Sequence, residues 1–521
     1  MITEDQKGVT DFLRQAAGGA RCCEIETHIS RIFLAPDRVF KLKRAVALPY
    51  VDFSTAEKRL AACEKEVALN SRTAPGLYRG VEPIVRTADG SLGFGGAGEL
   101  VDAVVVMRRF EQSALMDAMA EAGQLTMDHV DEVARTIAAF HRDAPVVPGE
   151  GGSANIAAVL DINERAFATS RIFDRDEVAR LNALFREHLA RHAGHLDARA
   201  SAGKIRRCHG DLHLRNICWL DGAPRLFDCI EFNDRIATTD VLYDLAFLLM
   251  DLWHRDLRAH ANLVANRYFD LTGEADGFGL LSFLMAIRAA VRAHVTATAG
   301  EERDGDRTVL EEMALSYFDL SMDLLKPCPS LLLAVGGFSG SGKSTVSAQL
   351  ADQVGPAPGA RILESDTIRK GMHGVSRDTT LPPDAYRPEV SEQVYGQIFA
   401  HSQATLAEGA AVLANAVFDL PTMRAGIAES AAAAGVPCCG VWLDVVPQRL
   451  RERVGARSGG SSDATVDVLE RQLERGAGDN DWVRIDADRP VDKVVRAIVA
   501  LANSISHAHD EPASSTGVEH P

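Results

Sequence analysis

The sequence predicts two folds in one chain: an α+β domain over residues 1–325, then an α/β domain with a parallel sheet over residues 331–505. Three observations predict this. A chain of 521 residues exceeds one ordinary core and divides into two or three domains. Short strand-patterned runs between about Glu24 and Phe110 give way to a mostly helical pattern, and regular strand–helix alternation begins only after Leu331. Between the two patterns, Lys326-Pro327-Cys328-Pro329-Ser330 is a proline-punctuated linker.

Each element follows in order. Residues 32–35, a Pro36-Asp37 turn and residues 39–43 predict a hairpin. Residues 54–69 predict a helix capped at Ser54, with Leu60, Cys63 and Val67 on its apolar side. Residues 101–107 predict a strand. From Leu115 to about Phe318 the pattern is helical, interrupted over 205–235. There a polar loop precedes a strand at 217–220, an Asp221-Gly222 turn, and a second strand at 225–227 that ends on Asp228. Residues 241–252 are apolar but broken by Asp244 and Asp251, which predicts a buried helix. After the linker, 331–335 is a strand, 337–344 a glycine-rich loop and 345–353 a helix. Further strands are predicted at 362–365, 411–418 and 440–443, and the polar residues 506–521 predict a disordered tail.

The bulk numbers exclude some functions. The composition, 46% hydrophobic and 25% charged, is globular, and the net charge of −17 argues against a nucleic-acid surface or an anionic membrane. Nine cysteines, an odd number without metal-ligand spacing, read as free thiols in a reducing compartment. The acidic, polar start is no signal peptide, and no uninterrupted apolar run reaches the ~20 residues of a membrane span. These features predict a cytoplasmic protein; nothing in the sequence reports its oligomeric state.

Phosphoryl transfer from ATP needs a carboxylate near the acceptor hydroxyl and oxygen ligands for Mg²⁺. In His209-Gly210-Asp211-Leu212-His213-Leu214-Arg215-Asn216, Asp211 is placed for the first task. Asn216 and, beyond the hairpin, Asp228 are placed for the second. This loop, the following FDCIEFND and the stretch from Asp240 to Ala246 resemble the aminoglycoside phosphotransferase and choline kinase family, over roughly residues 20–320. The resemblance implies a bilobal, protein-kinase-like fold, with an N-lobe near 20–110 and a C-lobe near 111–325. It makes Asp244 structural. It also implies a strand lysine that holds the α/β-phosphates and pairs with a helix glutamate. Lys41 fits, with Lys43 as rival on the same face; Glu66 fits, with Glu64 as runner-up. A solvated surface charge is an equal reading for each. Residues 107–110 would be the adenine-binding hinge, and Ser30 a phosphate contact. No G-x-G-x-x-G, D-F-G or A-P-E is present, which favours a small-molecule acceptor over a phosphorylation-controlled protein kinase.

The loop Gly337-Phe338-Ser339-Gly340-Ser341-Gly342-Lys343-Ser344 stands between a strand and a helix, the context of a Walker A phosphate loop. Gly337, Gly340 and Gly342 let backbone N–H groups wrap phosphates, with Ser339, Ser341 and Thr345 beside them. Lys343 would reach the β/γ-phosphates and Ser344 would hold Mg²⁺. Past the next strand, Asp366 can accept a hydroxyl proton. Arg369, one helical turn on, can hold an anionic group. A capping Asp followed by a surface Arg is the plainer alternative. Asp366-Thr367-Ile368-Arg369 resembles the pattern of polynucleotide kinase, zeta-toxin and gluconate-kinase-like P-loop kinases. Those kinases cover the phosphates with lid arginines. Arg449, Arg453 and Arg457 fall at the matching place, Arg453 and Arg457 as nucleotide contacts, with 459–463 as a mobile lid. A solvated basic helix face competes with that reading. Asp444 precedes the lid helix and receives no metal role. Strand 411–418 should bring a carboxylate to Mg²⁺ but offers Asn415, an oxygen without charge.

The pairing resembles the bacterial bifunctional aminoglycoside phosphotransferase-like and P-loop ATP-binding (predicted kinase) fusion family over almost the whole chain. It implies a fused kinase using ATP and Mg²⁺ at both sites on small hydroxylated molecules, with Asp211 and Asp366 as bases. Two alternatives stay open. One is a nucleotide-sensing regulator in which one domain binds ATP without turnover, which Asn415 favours. The other is an aminoglycoside-modifying resistance enzyme, which gains slightly from the acidic charge.

Overall fold

The computed structural model describes residues 3–19, 22–48, 51–149, 151–301, 307–456 and 462–510, the last five as backbone alone. Contacts divide the chain into two compact units, Met1–Ala158 with Ala193–Asp251 and Val159–His192 with Leu252–Pro521. The linker at 326–330 therefore marks a change of fold type, not a break in packing. Helices Arg258–Thr272, Leu281–Glu301 and Arg307–Leu324 lie in the same compact unit as the sheet that follows them.

In the first unit, β1 (Cys23–Glu26), β2 (Ser30–Leu34), β3 (Arg38–Lys43), β4 (Tyr78–Arg86), β5 (Leu92–Phe94) and β6 (Glu99–Arg108) form an antiparallel sheet ordered β1-β2-β3-β6-β4-β5. The expected hairpin is β2–β3, with Ile32 opposite Lys41. Side chains alternate between two covered faces. Phe40, Leu42, Val104 and Val106 pack with Val9 and Leu13 of helix Lys7–Ala16. Val39, Val105 and Met107 pack with Cys63 of helix Ala56–Asn70. Lys41 and Lys43 share the parity of Val39, so both face that second helix. Its cap is Thr55, not Ser54: Thr55 has the extended backbone a cap requires, and its side chain accepts the Lys58 N–H. Farther on, β7 (Ile217–Leu220) and β8 (Ala223–Leu226) make the expected second hairpin about Asp221 and Gly222, both at positive φ.

In the second unit, β9 (Leu332–Gly336), β10 (Arg361–Glu364), β11 (Val412–Asn415), β12 (Cys438–Asp444) and β13 (Val483–Asp486) form a parallel sheet ordered β10-β11-β9-β12-β13. Both faces are covered, so the strands read as continuous apolar runs. Leu333, Val335, Leu413 and Val441 meet Val346 and Ile498, while Leu332, Ala334 and Val412 meet Val394, Ile398 and Ile427. β9 lies between β11 and β12, where the strand order reverses, and the phosphate-type loop leaves its carboxyl end.

Three expectations meet the structure here. Helix Val491–Asp510 runs through 506–510, part of the predicted disordered tail; residues 511–521 lie outside the described residues. Phe278–Glu301 passes for a membrane span by length and composition, which Arg288 and Arg292 hide from a search for unbroken apolar runs; 67% of its apolar window is buried, as in a core helix. All nine cysteines are free, as the sequence predicts.

Candidate active sites

The first candidate site is assembled around the loop from His209 to Asn216. Asp244 fastens its start. One carboxylate oxygen accepts the His209 N–H (3.1 Å) and lies 3.1 Å from His141 Nε2, and the other accepts the Gly210 N–H (2.8 Å). Fully buried, Asp244 has the structural place expected of it. Gly210 has φ +86, and a Cβ there would stand 3.0 Å from Ile230, so the loop needs glycine. Asp251 accepts the Leu214 N–H (3.0 Å). Asn216 Nδ2 donates to both the carbonyl and the carboxylate of Asp211 (2.9 Å each), and His213 Nε2 lies 3.4 Å from that carboxylate. The Phe227 N–H donates to the Asn216 carbonyl (3.0 Å), which brings the end of the β7–β8 hairpin beside the loop. That backbone pairing, and the contact of His209 Nε2 with the Phe227 carbonyl (2.9 Å), set the position of the next residue, Asp228.

Asp228 has a left-handed backbone (φ 63), uncommon outside glycine. Its N–H donates to the Tyr78 hydroxyl (3.1 Å), and the Cys229 N–H donates to Asn70 Oδ1 (2.9 Å). The carboxylate pairs with Lys41, whose Nζ also lies 2.8 Å from Glu66. Glu66 in turn pairs with Lys43, which pairs with Glu231. Lys41 and Lys43 differ in their second partner. Both meet Glu66, but Lys41 is the one that reaches Asp228, while Lys43 is sealed between two carboxylates. Glu64 is exposed. Burial pushes the Glu66 carboxyl up, but Lys41 and Lys43 outweigh it and hold it at about 2. Burial pulls Lys41 down, but Asp228 and Glu66 raise it well above the usual lysine range. Two ammonium groups face three carboxylates, so a cation suits the cluster. Ser30, buried at the start of β2, has no side-chain partner among the described residues.

The second candidate site is a cavity of about 620 Å³ at the carboxyl end of β9. Ser339, Gly340, Gly342, Lys343, Ser344 and Thr345 form one wall; Asp366 and Arg369 also line it. Gly337 and Gly340 have positive φ, and a Cβ on either would stand within 3.0 Å of other atoms, including the Leu443 and Leu450 carbonyls. Ser341 is buried within the loop. Lys343 Nζ donates to the Gly337 and Phe338 carbonyls (2.9 and 3.2 Å). Ser344 donates to Glu364, the last residue of β10. Glu364 also accepts from Thr367 Oγ1 (2.8 Å), and Asn415 Nδ2 lies 3.5 Å from both Glu364 and Ser344. Asp366 is half-buried in the first turn of helix Ser365–Met372. Burial, then the charge of Glu364, push its carboxyl up, against Ser462, Arg369 and Lys343, which pull it down. Arg369 is buried and stacks on Tyr386 (4.8 Å). Its Nη1 donates to the Ala385 carbonyl (2.7 Å), and its Nε has no partner among the described residues.

One carboxylate beside the phosphate-type loop was not read from the sequence. The sequence places a metal-facing carboxylate on strand 411–418 and finds Asn415 there instead. The structure supplies Glu364 from the neighbouring strand, in contact with Ser344. Ser344 and Glu364 present oxygens that fit Mg²⁺, a hard cation that takes oxygen ligands, and Asn415, whose Nδ2 faces them, would offer Oδ1 by turning its amide; Asn216 and Asp228 fit it at the first site. The proposed lid also changes. Arg449 pairs with Glu452, and Arg453 lies beside the Gly340 carbonyl (3.5 Å) and Asp488 (3.4 Å), outside the cavity lining. Arg457 and residues 459–461 lie outside the described residues. Asp463 is not loose: Lys370, Tyr386 and the Leu381 N–H hold it (3.1, 2.7 and 2.9 Å). Arg471 and Arg475 line the cavity from helix Val466–Arg475. Sequence reasoning missed them, although their spacing of four places them on one helix face.

Residues 50–278 match the model of the phosphotransferase enzyme family, and residues 332–477 match that of the AAA domain. The chain thus joins a protein-kinase-like phosphotransferase domain to a P-loop, kinase-type nucleotide-binding domain. It is similar to an uncharacterized protein of Mycobacterium tuberculosis (strain ATCC 25618 / H37Rv), 29% identical over 483 residues, 90% of this chain and 93% of that protein. Among solved structures it is similar to a choline/ethanolamine kinase family protein from Mesorhizobium loti, at 14% identity over 61% of this chain and 95% of that one, TM-score 0.38. It is also similar to a gluconokinase from Sinorhizobium meliloti 1021, at 25% identity over 34% of this chain and 94% of that one, TM-score 0.25.

Proposed function

We propose that the chain is a bifunctional ATP-dependent phosphotransferase, each site moving the γ-phosphoryl group of ATP to a hydroxyl of a small molecule. The observation that carries this reading is common to both sites. Each holds a carboxylate, Asp211 or Asp366, beyond the residues needed to hold nucleotide and metal. A pure nucleotide clamp has no use for such a group; a kinase needs it to take the acceptor proton.

At the first site Lys41, steadied by Glu66, would contact the α/β-phosphates, and Asn216 and Asp228 would hold Mg²⁺. Asp211 accepts the hydroxyl proton as the new O–P bond forms and the β–γ bridging bond breaks. At the second site Lys343 would turn from its loop carbonyls to the β/γ-phosphates, and Ser344, Glu364 and Asn415 would hold Mg²⁺. Asp366 takes the proton, and Arg369 offers its Nε to an anionic group of the acceptor. When bound, Mg²⁺ would supply charge neutralisation on the transferring phosphoryl group at both sites. Nine reduced thiols and the acidic surface support work in the cytoplasm on small molecules, with no nucleic-acid or membrane partner.

The test is a panel of small hydroxylated molecules, aminoglycosides included, incubated with ATP and the full chain. ADP release and product mass are read for the wild type, Asp211→Asn and Asp366→Asn. Loss of a different product in each variant is expected. No phosphorylated product from any acceptor, or unchanged products in both variants, would overturn the proposal.

A further inference from the structure

β10 is an edge strand: β11 pairs with one side of it, and Asn266 of helix Arg258–Thr272 meets the other. Buried backbone groups on an open edge need partners. Asn266, on that helix, supplies them. Its Oδ1 accepts the Ile362 N–H (2.7 Å) and its Nδ2 donates to the Ala360 carbonyl (3.1 Å). These are the two groups flanking Arg361 that a neighbouring strand would otherwise take. Asn262, one turn earlier, donates to the Pro358 and Ala360 carbonyls (3.0 and 3.1 Å). Arg361 completes the lock, 2.6 Å from Asp270 and 3.0 Å from Asn266 Oδ1. Asn262, Asn266 and Arg361 are each more than nine-tenths buried. A second fastening lies nearby, where Glu408 accepts the Gly277 and Gly279 N–H groups (2.9 and 3.0 Å).

The strand held this way ends in Glu364, which meets Ser344, and the helix after it carries Asp366 and Arg369. We propose that Asn266 is a positioning residue for the second site, acting through β10 to set Glu364 against Ser344 and Asp366 toward the phosphate loop. It stands on a helix inside the phosphotransferase-family match, so the second site draws part of its frame from outside the P-loop match. The role given to Asp366 rests on the proposed function; the fastening of β10 and the Glu364–Ser344 contact do not.

The full chain tests this by hydrogen exchange, with AMP-PNP, a non-hydrolysable ATP analogue, titrated with and without Mg²⁺. Peptides over 337–345 and 361–369 report the second site alone. Asn266→Leu removes both strand contacts without adding charge; Asn266→Asp keeps the acceptor for Ile362. In Asn266→Leu, amides 362–366 should exchange faster without ligand. The Mg²⁺-dependent AMP-PNP affinity should fall roughly 10-fold, as for loss of a group that orients a metal ligand. The Mg²⁺-free affinity should stay within about 2-fold, because Lys343 and the loop backbone are untouched, and Asn266→Asp should recover most of the loss. Unchanged Mg²⁺ dependence, or equal loss with and without Mg²⁺, would overturn the proposal. Should Asn266→Leu not fold, Asp270→Asn, which removes only the carboxylate beside Arg361, should give a smaller loss of the same kind; equal loss with and without Mg²⁺ again overturns it. If AMP-PNP leaves 337–345 unprotected even in the wild type, the nucleotide role fails by itself. Faster exchange confined to 362–366 would then still support the fastening, and unchanged exchange would refute it.

Discussion

At the first site the charged groups are paired with one another. Lys41 joins Glu66 to Asp228, and Lys43 joins Glu66 to Glu231, all but Asp228 being deeply buried. At the second site Lys343 donates to its own loop carbonyls, and Glu364 meets the hydroxyls of Ser344 and Thr367 and one cation, Arg377, at 3.4 Å. The difference follows from how each site is built. The first draws on β3, a helix, a loop and a hairpin end, far apart in sequence, and opposite charges bring these to one place. The second grows from adjacent strand ends of one parallel sheet, whose backbone already sets the spacing.

The largest expected effect tests whether the two sites act separately. Asp211→Asn and Asp366→Asn should each cut turnover at their own site on the order of 10²–10⁴, the usual cost of losing a general base, and leave the other product unchanged. Product mass for each identified acceptor measures it. If either variant cut both products equally, the comparison of two sites would collapse into one.

Next come the lysines. Lys43→Met leaves Glu66 and Glu231 buried without their shared cation. Breaking a buried pair this way costs about 3–5 kcal/mol, so urea unfolding should show a loss of that order. Lys343→Met removes the hydrogen bonds to the Gly337 and Phe338 carbonyls and leaves no doubly bridged buried carboxylates behind; it should cost less, about 1 kcal/mol, while abolishing AMP-PNP protection of 337–345. Comparable stability losses in the two variants would mean that the first site is not the more tightly charge-paired one.

Much of this was legible in the sequence, and the exceptions share a physical cause. The hairpins, the buried Asp244 helix and the phosphate-type loop follow from side-chain period and turn chemistry, which are local. Lys41 and Lys43 share one face of β3, so only the reach of the hairpin end tells them apart. Glu364 reads as an ordinary strand-terminal residue, because its contact with Ser344 depends on which strands lie side by side. Asn262 and Asn266 look like ordinary helix residues until the edge of β10 meets them. The break at 326–330 is plain in composition, yet packing crosses it, because Glu408 and Arg361 have their partners on the other side of it.

The nearness of Asn415 to Glu364 and Ser344 supports a smaller, reciprocal test. Glu364→Gln should weaken the Mg²⁺ dependence of AMP-PNP binding at 337–345 by roughly ten-fold, since the carboxylate beside Ser344 loses its charge. Asn415→Asp in that background returns a carboxylate to the same spot and should restore most of the loss. Failure of the restoration would place the metal away from Asn415.

The smallest effect expected is a shift in pH dependence at the second site. Burial, then the negative charge of Glu364, raise Asp366 above the ordinary carboxylate value. A base works only when deprotonated, so second-site turnover should fall as pH drops through that raised pKa, at higher pH than for an exposed aspartate. The acid limb of kcat/KM is the right measure, because it reports groups of the free enzyme, before bound Mg²⁺ screens Glu364. Glu364→Gln removes the neighbouring charge but leaves the burial. The acid limb should therefore move to lower pH, by less than the whole displacement, since burial is the larger cause. First-site turnover, with Asp211 as its base, should keep its profile in the same variant. A limb that stayed in place would mean that Glu364 does not act on the group that takes the proton, and Asp366 would lose its claim to that role.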